Sequence, residues 1–122
     1  TGGVLDVGCG VGRTIRDCAP AMKGWKFVAM DYAYQMCERA HDVIAGGPAI
    51  ALPSLARRGF LTATLPERMP LKNARVVQGS ALDLPFHDGA FDAVTATLVY
   101  DRLPDPELGL VEMAICGMLL AA

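Results

Sequence analysis

Apolar residues in this chain come in short runs, each closed by a turn signal. Residues 4–7, Val-Leu-Asp-Val, form one run broken by a single acid. Residues 25–30, Trp-Lys-Phe-Val-Ala-Met, form a second that ends at Asp31. Residues 74–79 and 91–97 supply a third and a fourth. Runs with so little alternation predict strands of a parallel sheet covered on both faces. Between them the period becomes helical. Over 13–22, Ile15, Cys18, Ala19 and Met22 fall at i, i+3, i+4 and i+7, one apolar face. Pro20 sits inside that pattern, removes a backbone donor and crowds the preceding turn, so the helix should kink or stop near Ala19. Over 32–44, Met36, Ala40, Val43 and Ile44 share a face, and Gly46-Gly47 ends the segment. Asp105 and Pro106 suit the cap and first position of a last helix. Its predicted apolar face is Leu108, Val111, Ile115, Met118 and Leu119, with Gly117 as a weak point. Strands alternating with helices predict an α/β fold.

Residues 48–73 break this rhythm. Pro48, Pro53, Pro66 and Pro70 interrupt regular structure. Leu52, Leu55, Phe60, Leu61 and Leu65 are too apolar for a plain linker. The stretch reads as a proline-rich insertion that packs over the sheet edge or caps a partner surface. Arg57 and Arg58 read either as contacts for an anionic substrate or as a solvated pair.

Gly8, Gly10 and Gly12 lie between the first strand and the first helix. A tight strand-to-helix turn needs backbone angles that a Cβ opposes, and bare backbone lets a ligand come close. The dinucleotide fingerprint G-x-G-x-x-G would need its third glycine at position 13, which is Arg13. The spacing is instead Asp6-x-Gly8-x-Gly10-x-Gly12. The string VLDVGCGVG resembles motif I of the class I S-adenosylmethionine-dependent methyltransferases, and of type 11-like domains among them. VAMDYAYQMCERA resembles that family's second motif. VVQGSALDLPFHDGAFDAV resembles its next one, through Leu84-Pro85-Phe86 and Phe91-Asp92.

The resemblance implies a Rossmann-like three-layer sandwich with a mostly parallel sheet in the order 3-2-1-4. The family's usual C-terminal strands would be lacking, because the chain is expected to end before a fifth strand. That makes residues 1–122 a single, partial S-adenosylmethionine-binding domain. It implies an enzyme that moves a methyl group by in-line displacement, with S-adenosyl-L-methionine as cofactor. Asp6 would help hold the methionine ammonium, directly or through water. Gly8, Gly10 and Gly12, with Cys9 among them, would carry the ligand on backbone. Asp31 would accept hydrogen bonds from the ribose hydroxyls, an arrangement dehydrogenases share; its alternative reading is a helix cap. Tyr32 and Met36 would lie beside the adenosine, Met36 being equally readable as core. Ser80, Ala81 and Leu82 would frame adenine. Ser80 departs from the acid usual at its position, and a neutral hydrogen bond is worth less than a charge-assisted one. Thr97 is a further cofactor candidate, and Tyr100 and Asp101 are the substrate-side candidates. No acid or base is assigned. Asp83 and His87 read as turn residues.

Composition narrows the classes. A formal net charge of −2 lacks the basic excess of a phosphate-reading surface, so no nucleic acid is expected. No apolar run reaches the ~20 residues of a membrane span. Cys9, Cys18, Cys37 and Cys116 form no C-x-x-C, and no histidine stands at ligand spacing, so no metal site is assigned. Four mostly buried, reduced thiols suit a cytoplasmic protein. The acceptor is expected to be a small molecule, on analogy with relatives that carry Leu-Pro-Phe. An exposed fourth strand would call for a homodimer or a missing C-terminal segment. Two other readings stay open: a non-catalytic module working through protein contacts, and a nicotinamide oxidoreductase.

Overall fold

The structure, a computed structural model, describes residues 2–46, 70–97 and 102–121. The elements are β1 (Gly3–Val7), α1 (Arg13–Cys18), a 3-10 turn (Ala19–Ala21), β2 (Lys26–Asp31) and α2 (Tyr34–Ile44), then β3 (Ala74–Gln78), β4 (Ala93–Ala96), α3 (Pro106–Cys116) and β5 (Met118–Ala121). The strands form one sheet in the order β3-β2-β1-β4-β5. Every pairing is parallel.

Alternation along each strand feeds two separate cores. Val4, Phe27 and Ala29 pack with Ile15, Ala19, Ala40 and Ile44 on one face. Leu5, Val7, Met30 and Val94 pack with Leu84, Met113 and Cys116 on the other. Strands of this kind read as continuous apolar runs because neither face meets water. The predicted three-layer sandwich is found, with α1 and α2 on one face and α3 on the other.

Pro20 ends α1 as expected: the α-helix stops at Cys18 and the chain tightens into the 3-10 turn. Ile15 and Ala19 are buried, but Cys18 is exposed and does not belong to the predicted face. The second helix begins at Tyr34, two residues later than the spacing suggested. Asp31 Oδ1 accepts from the Ala33 N–H at 2.9 Å, and Ala33 is extended (φ −79°, ψ 118°), so regular helix starts after it.

Most of the proline-rich stretch, with Arg57 and Arg58, lies outside the described residues. Its last part re-enters through a clip. Leu71 N–H donates to Ile44 O (2.8 Å), and Asn73 Nδ2 donates to Trp25 O (2.9 Å) and Ala19 O (3.3 Å).

The C-terminal expectation needs correction. The chain does not stop short of a fifth strand: β5 pairs with β4 over Ala93↔Met118 to Ala96↔Ala121. Hence β4 is interior, and the case for a dimer built on its exposed edge falls. Gly117 allows this turn. A Cβ there would sit 2.5 Å from Phe91 O, so only a bare residue brings the helix end so close to the sheet. The face of the last helix is also reversed. Gly109, Met113 and Cys116 are buried, whereas Leu108, Val111 and Ile115 are exposed. A helix apolar nearly all round gives periodicity little to phase it with.

Candidate functional site

The order of the sheet reverses at β1, whose neighbours are β2 and β4. Open α/β sheets bind ligands beyond the carboxyl ends of the strands at such a point. The glycine turn leaves β1 there. Gly8, Gly10 and Gly12 have φ of 70°, 56° and 81°, the left-handed region that glycine enters without steric cost. Three amides of the turn are spent inside the protein. Cys9 N–H donates to Met30 O (2.9 Å), Gly10 N–H to Asp31 Oδ2 (3.0 Å) and Gly12 N–H to Cys9 O (3.0 Å).

The glycines do different work. A Cβ on Gly10 would meet no heavy atom within 4 Å. A Cβ on Gly12 would lie 3.2 Å from Ala40 Cβ and 3.3 Å from Ala40 Cα, so Gly12 lets α1 approach α2.

Beside the turn is a cavity of about 720 Å³. Of the residues singled out in the sequence, Gly8, Gly10, Asp31, Tyr32, Met36, Ser80, Ala81, Leu82 and Thr97 line it. Asp6, Cys9 and Gly12 lie behind the wall. Tyr100 and Asp101 are outside the described residues. Sequence reasoning missed Val7, Met30, Gly79, Arg102, Leu103 and Pro104. Arg102 offered a faint signal, standing next to the two substrate-side candidates. Leu103 and Pro104 stand directly before the cap of the last helix.

Asp31 sits at the end of β2 with each oxygen held by one backbone N–H, from Gly10 and Ala33. Asp6, on the same face of the neighbouring strand, is buried and accepts from Thr95 Oγ1 at 2.8 Å. Burial raises its carboxyl above the ordinary aspartate range; the Thr95 hydroxyl opposes this and the charge of Asp31 adds to it. Burial, then the charges of Asp31 and Asp6, push the Cys9 thiol up to about 12, so it is neutral at physiological pH and no nucleophile.

Ser80 Oγ accepts from Leu82 N–H at 3.1 Å and shapes the loop that presents Ala81 and Leu82. The neighbouring motif residues serve the scaffold. Leu84 is buried, and Phe86 meets Phe91 edge-to-face with centroids 4.9 Å apart. Asp92 Oδ2 accepts from Gly3 N–H at 2.8 Å, tying β4 to the start of β1. Asp83 and His87 are exposed. A second, more open cavity of about 500 Å³ lies along α2 and β3, beside Cys37, Glu38 and His41, away from the glycine turn. No helix among the described residues is long and apolar enough to cross a membrane.

A model of the methyltransferase domain family matches residues 5–116. The chain belongs to that family. Solved structures agree on the fold. The YcgJ protein of Bacillus subtilis matches with TM-score 0.68 and 24% identity, over 98% of this chain and 43% of its own. A SAM-dependent methyltransferase from Aquifex aeolicus matches with TM-score 0.68 and 20% identity, over 98% and 55%. The [4+2]-cyclase SpnF matches with TM-score 0.71 and 19% identity, over 98% and 38%. This methyltransferase-family chain therefore spans roughly half the length of these proteins or less.

The family brings S-adenosylmethionine as its cofactor, and the residues present fit it. The volume is in the range of small-molecule sites. The carboxylate of Asp31 has about four lone-pair sites and spends two on the backbone, leaving acceptors for a diol. The space beside Gly10 is a cradle that a side chain would begin to fill.

Proposed function

We propose that this chain is the cofactor-binding part of an S-adenosylmethionine-dependent methyltransferase acting on a small molecule. One observation carries the reading: Asp31, fastened to the glycine turn through Gly10, faces a cavity walled by bare backbone and by the 80–82 loop. In this reading Asp31 takes the ribose hydroxyls. Ala81 and Leu82 give adenine an apolar wall, with the Ser80 hydroxyl as a weak polar handle. Gly8 and Gly10 admit the ligand to the backbone. Asp6, being buried behind the wall, acts on a cationic group through water or through the field it adds.

When bound, the cofactor supplies a methyl group already activated on a sulfonium. The chain's share is then alignment and exclusion of water, which by themselves can be worth several orders of magnitude in rate. No side chain among the described residues of the cavity is placed as a general base, and the reaction class does not demand one. The small-molecule acceptor rests on analogy with relatives carrying Leu-Pro-Phe; in this chain those residues are packing.

A dinucleotide is disfavoured because Cys9, Gly10 and Gly12 have their amides engaged within the protein, leaving fewer donors for a pyrophosphate. The fold by itself does not specify methyl transfer, since a neighbour of the same fold is named a cyclase. A thermal-shift panel separates the cases. S-adenosylmethionine and S-adenosylhomocysteine should raise Tm, whereas NAD and NADP should not; stabilisation by the dinucleotides alone would refute the proposal. Transfer of a labelled methyl group to small acceptors then distinguishes turnover from binding.

A further inference from the structure

Asp6 is a buried acid, 3% exposed, in the middle of the sheet. Its register partners are Ala29 of β2 and Thr95 of β4. Thr95 is half-buried, with Oγ1 at 2.8 Å from Asp6 Oδ1 and 3.4 Å from Leu5 O. A hydroxyl has one proton, so these contacts are two settings rather than two simultaneous bonds. With Asp6 ionised, the Thr95 hydroxyl donates to Oδ1. With Asp6 protonated, the carboxyl O–H donates to Thr95 Oγ1, and the hydroxyl turns to Leu5 O. Burial and the charge of Asp31 favour the neutral acid, and the Thr95 hydroxyl opposes them. The ionisable groups around Asp6 are Asp31, from β2, and the Cys9 thiol, from the glycine turn, which stays neutral; α1 turns Ile15 to this face. Burial works against a charge at this place, so stability alone does not call for a carboxylate there.

We propose that Thr95 is a positioning residue of the cofactor site: its hydroxyl aims the Asp6 carboxylate and keeps it ionised, so that a fixed negative charge stands behind the glycine turn for the cationic end of the ligand. The inference rests on the cofactor reading above and deepens it. Asp6 does not line the cavity, and Thr95 acts on the ligand through Asp6 alone. A hydrogen bond to a charged acceptor is stronger than one to a neutral acceptor, so the hydroxyl stabilises the ionised acid more than the protonated one. Its removal leaves the burial of Asp6 and the charge of Asp31 in place and takes away what opposes them. The ligand then meets a neutral acid over a wider range of pH.

Calorimetry on the whole chain between about pH 5 and about pH 8 tests this with two ligands. S-adenosylmethionine carries a sulfonium and an ammonium; 5′-methylthioadenosine keeps adenosine and lacks both. The ratio of their affinities isolates the cationic end, because the ribose and its contact with Asp31 are common to both. In the wild type this ratio is full while Asp6 is ionised and falls as pH drops through the folded value of Asp6. Thr95→Val keeps the shape and removes the hydroxyl, and the midpoint of that fall should rise by about 1–2 pH units, the scale of one hydrogen bond to a charged group. Thr95→Ser restores it. In Asp6→Asn the ratio is lower, flat across this range and indifferent to Thr95→Val. Thr95→Ala takes the place of Thr95→Val if the added methyl unfolds the chain. Three outcomes overturn the proposal: a ratio in Thr95→Val that follows the wild type at every pH, equal weakening of both ligands, or an effect of Thr95→Val that persists in Asp6→Asn. Each of these leaves the cofactor reading standing. A wild type that binds neither ligand removes that reading, and this inference with it.

Discussion

Gly10 and Gly12 belong to one sequence motif, yet the structure gives them separable tasks, and alanine at each position should fail differently. Both have positive φ, so alanine costs about 1–2 kcal/mol in backbone strain at either site. Loss of unfolded-state freedom returns roughly 0.4–1 kcal/mol in both cases. The packing term divides them. At Gly12 the new methyl lies 3.2–3.3 Å from Ala40, a fully buried residue of α2. One helix must shift, at an overpacking cost of about 1–2 kcal/mol, the lower part of the usual range. At Gly10 the new methyl meets no protein atom within 4 Å, and the cost is in ligand space. Urea unfolding followed by the fluorescence of Trp25, the single tryptophan, reads the first effect. With a slope of about 2 kcal/mol per molar, Gly12→Ala should unfold roughly 0.5–1 M earlier than Gly10→Ala. Calorimetry of S-adenosylhomocysteine reads the second. Gly10→Ala should lose affinity, while Gly12→Ala, measured cold where it is folded, should keep it. The reasoning is refuted if Gly10→Ala unfolds as early as Gly12→Ala and binds as well as wild type.

Other predictions follow from single contacts. Asp6 has a folded-state pKa raised mainly by burial, so its contribution to stability is fully present below the ordinary aspartate value of about 4 and lost as pH rises through the folded value. Asp6→Asn keeps an acceptor for Thr95 and removes that loss; its unfolding midpoint at pH 7 should exceed that of wild type, with the gap closing toward pH 3. Asn73→Ala removes the side-chain donor to Trp25 O and leaves Ala19 O with the Met22 N–H alone, and urea unfolding should report a loss of about 1–3 kcal/mol. Iodoacetamide at pH 8 should label Cys18 first, with Cys9, Cys37 and Cys116 protected until denaturant is added; peptide mass mapping gives the order. Ser80→Asp should strengthen S-adenosylhomocysteine binding about fivefold by giving adenine a charged acceptor, whereas Ser80→Ala should weaken it.

The sequence exposed most clearly what depends on local chemistry. The glycine turn, Asp31 and the 80–82 loop were legible because backbone geometry restricts which residues can stand there, and these segments do converge on one cavity. What it hid depends on distance. Gly12 carries the same spacing as its neighbours, and only the position of Ala40 shows that it serves helix packing. Arg102 belongs to no motif, and only the folded chain shows that it lines the cavity. The fifth strand was misread because Met118 and Leu119 continue a helical spacing. Gly117 is extended rather than left-handed, and its meaning lies in the approach of Phe91. The last helix was phased wrongly because apolar residues stand on nearly every side of it, and only the folded chain shows that Gly109, Met113 and Cys116 face inward.

The central claim is that Asp31 and the turn it fastens form an adenosine site. Calorimetric titration of S-adenosylhomocysteine into the wild-type chain and into Asp31→Asn tests it most directly, since asparagine keeps one oxygen for the backbone and gives up the charge. The account predicts one site per chain in the wild type and at least roughly a tenfold loss in the variant, the scale of one charge-assisted hydrogen bond. A folded wild type that takes up no ligand, or a variant that binds as tightly as the wild type, would contradict it.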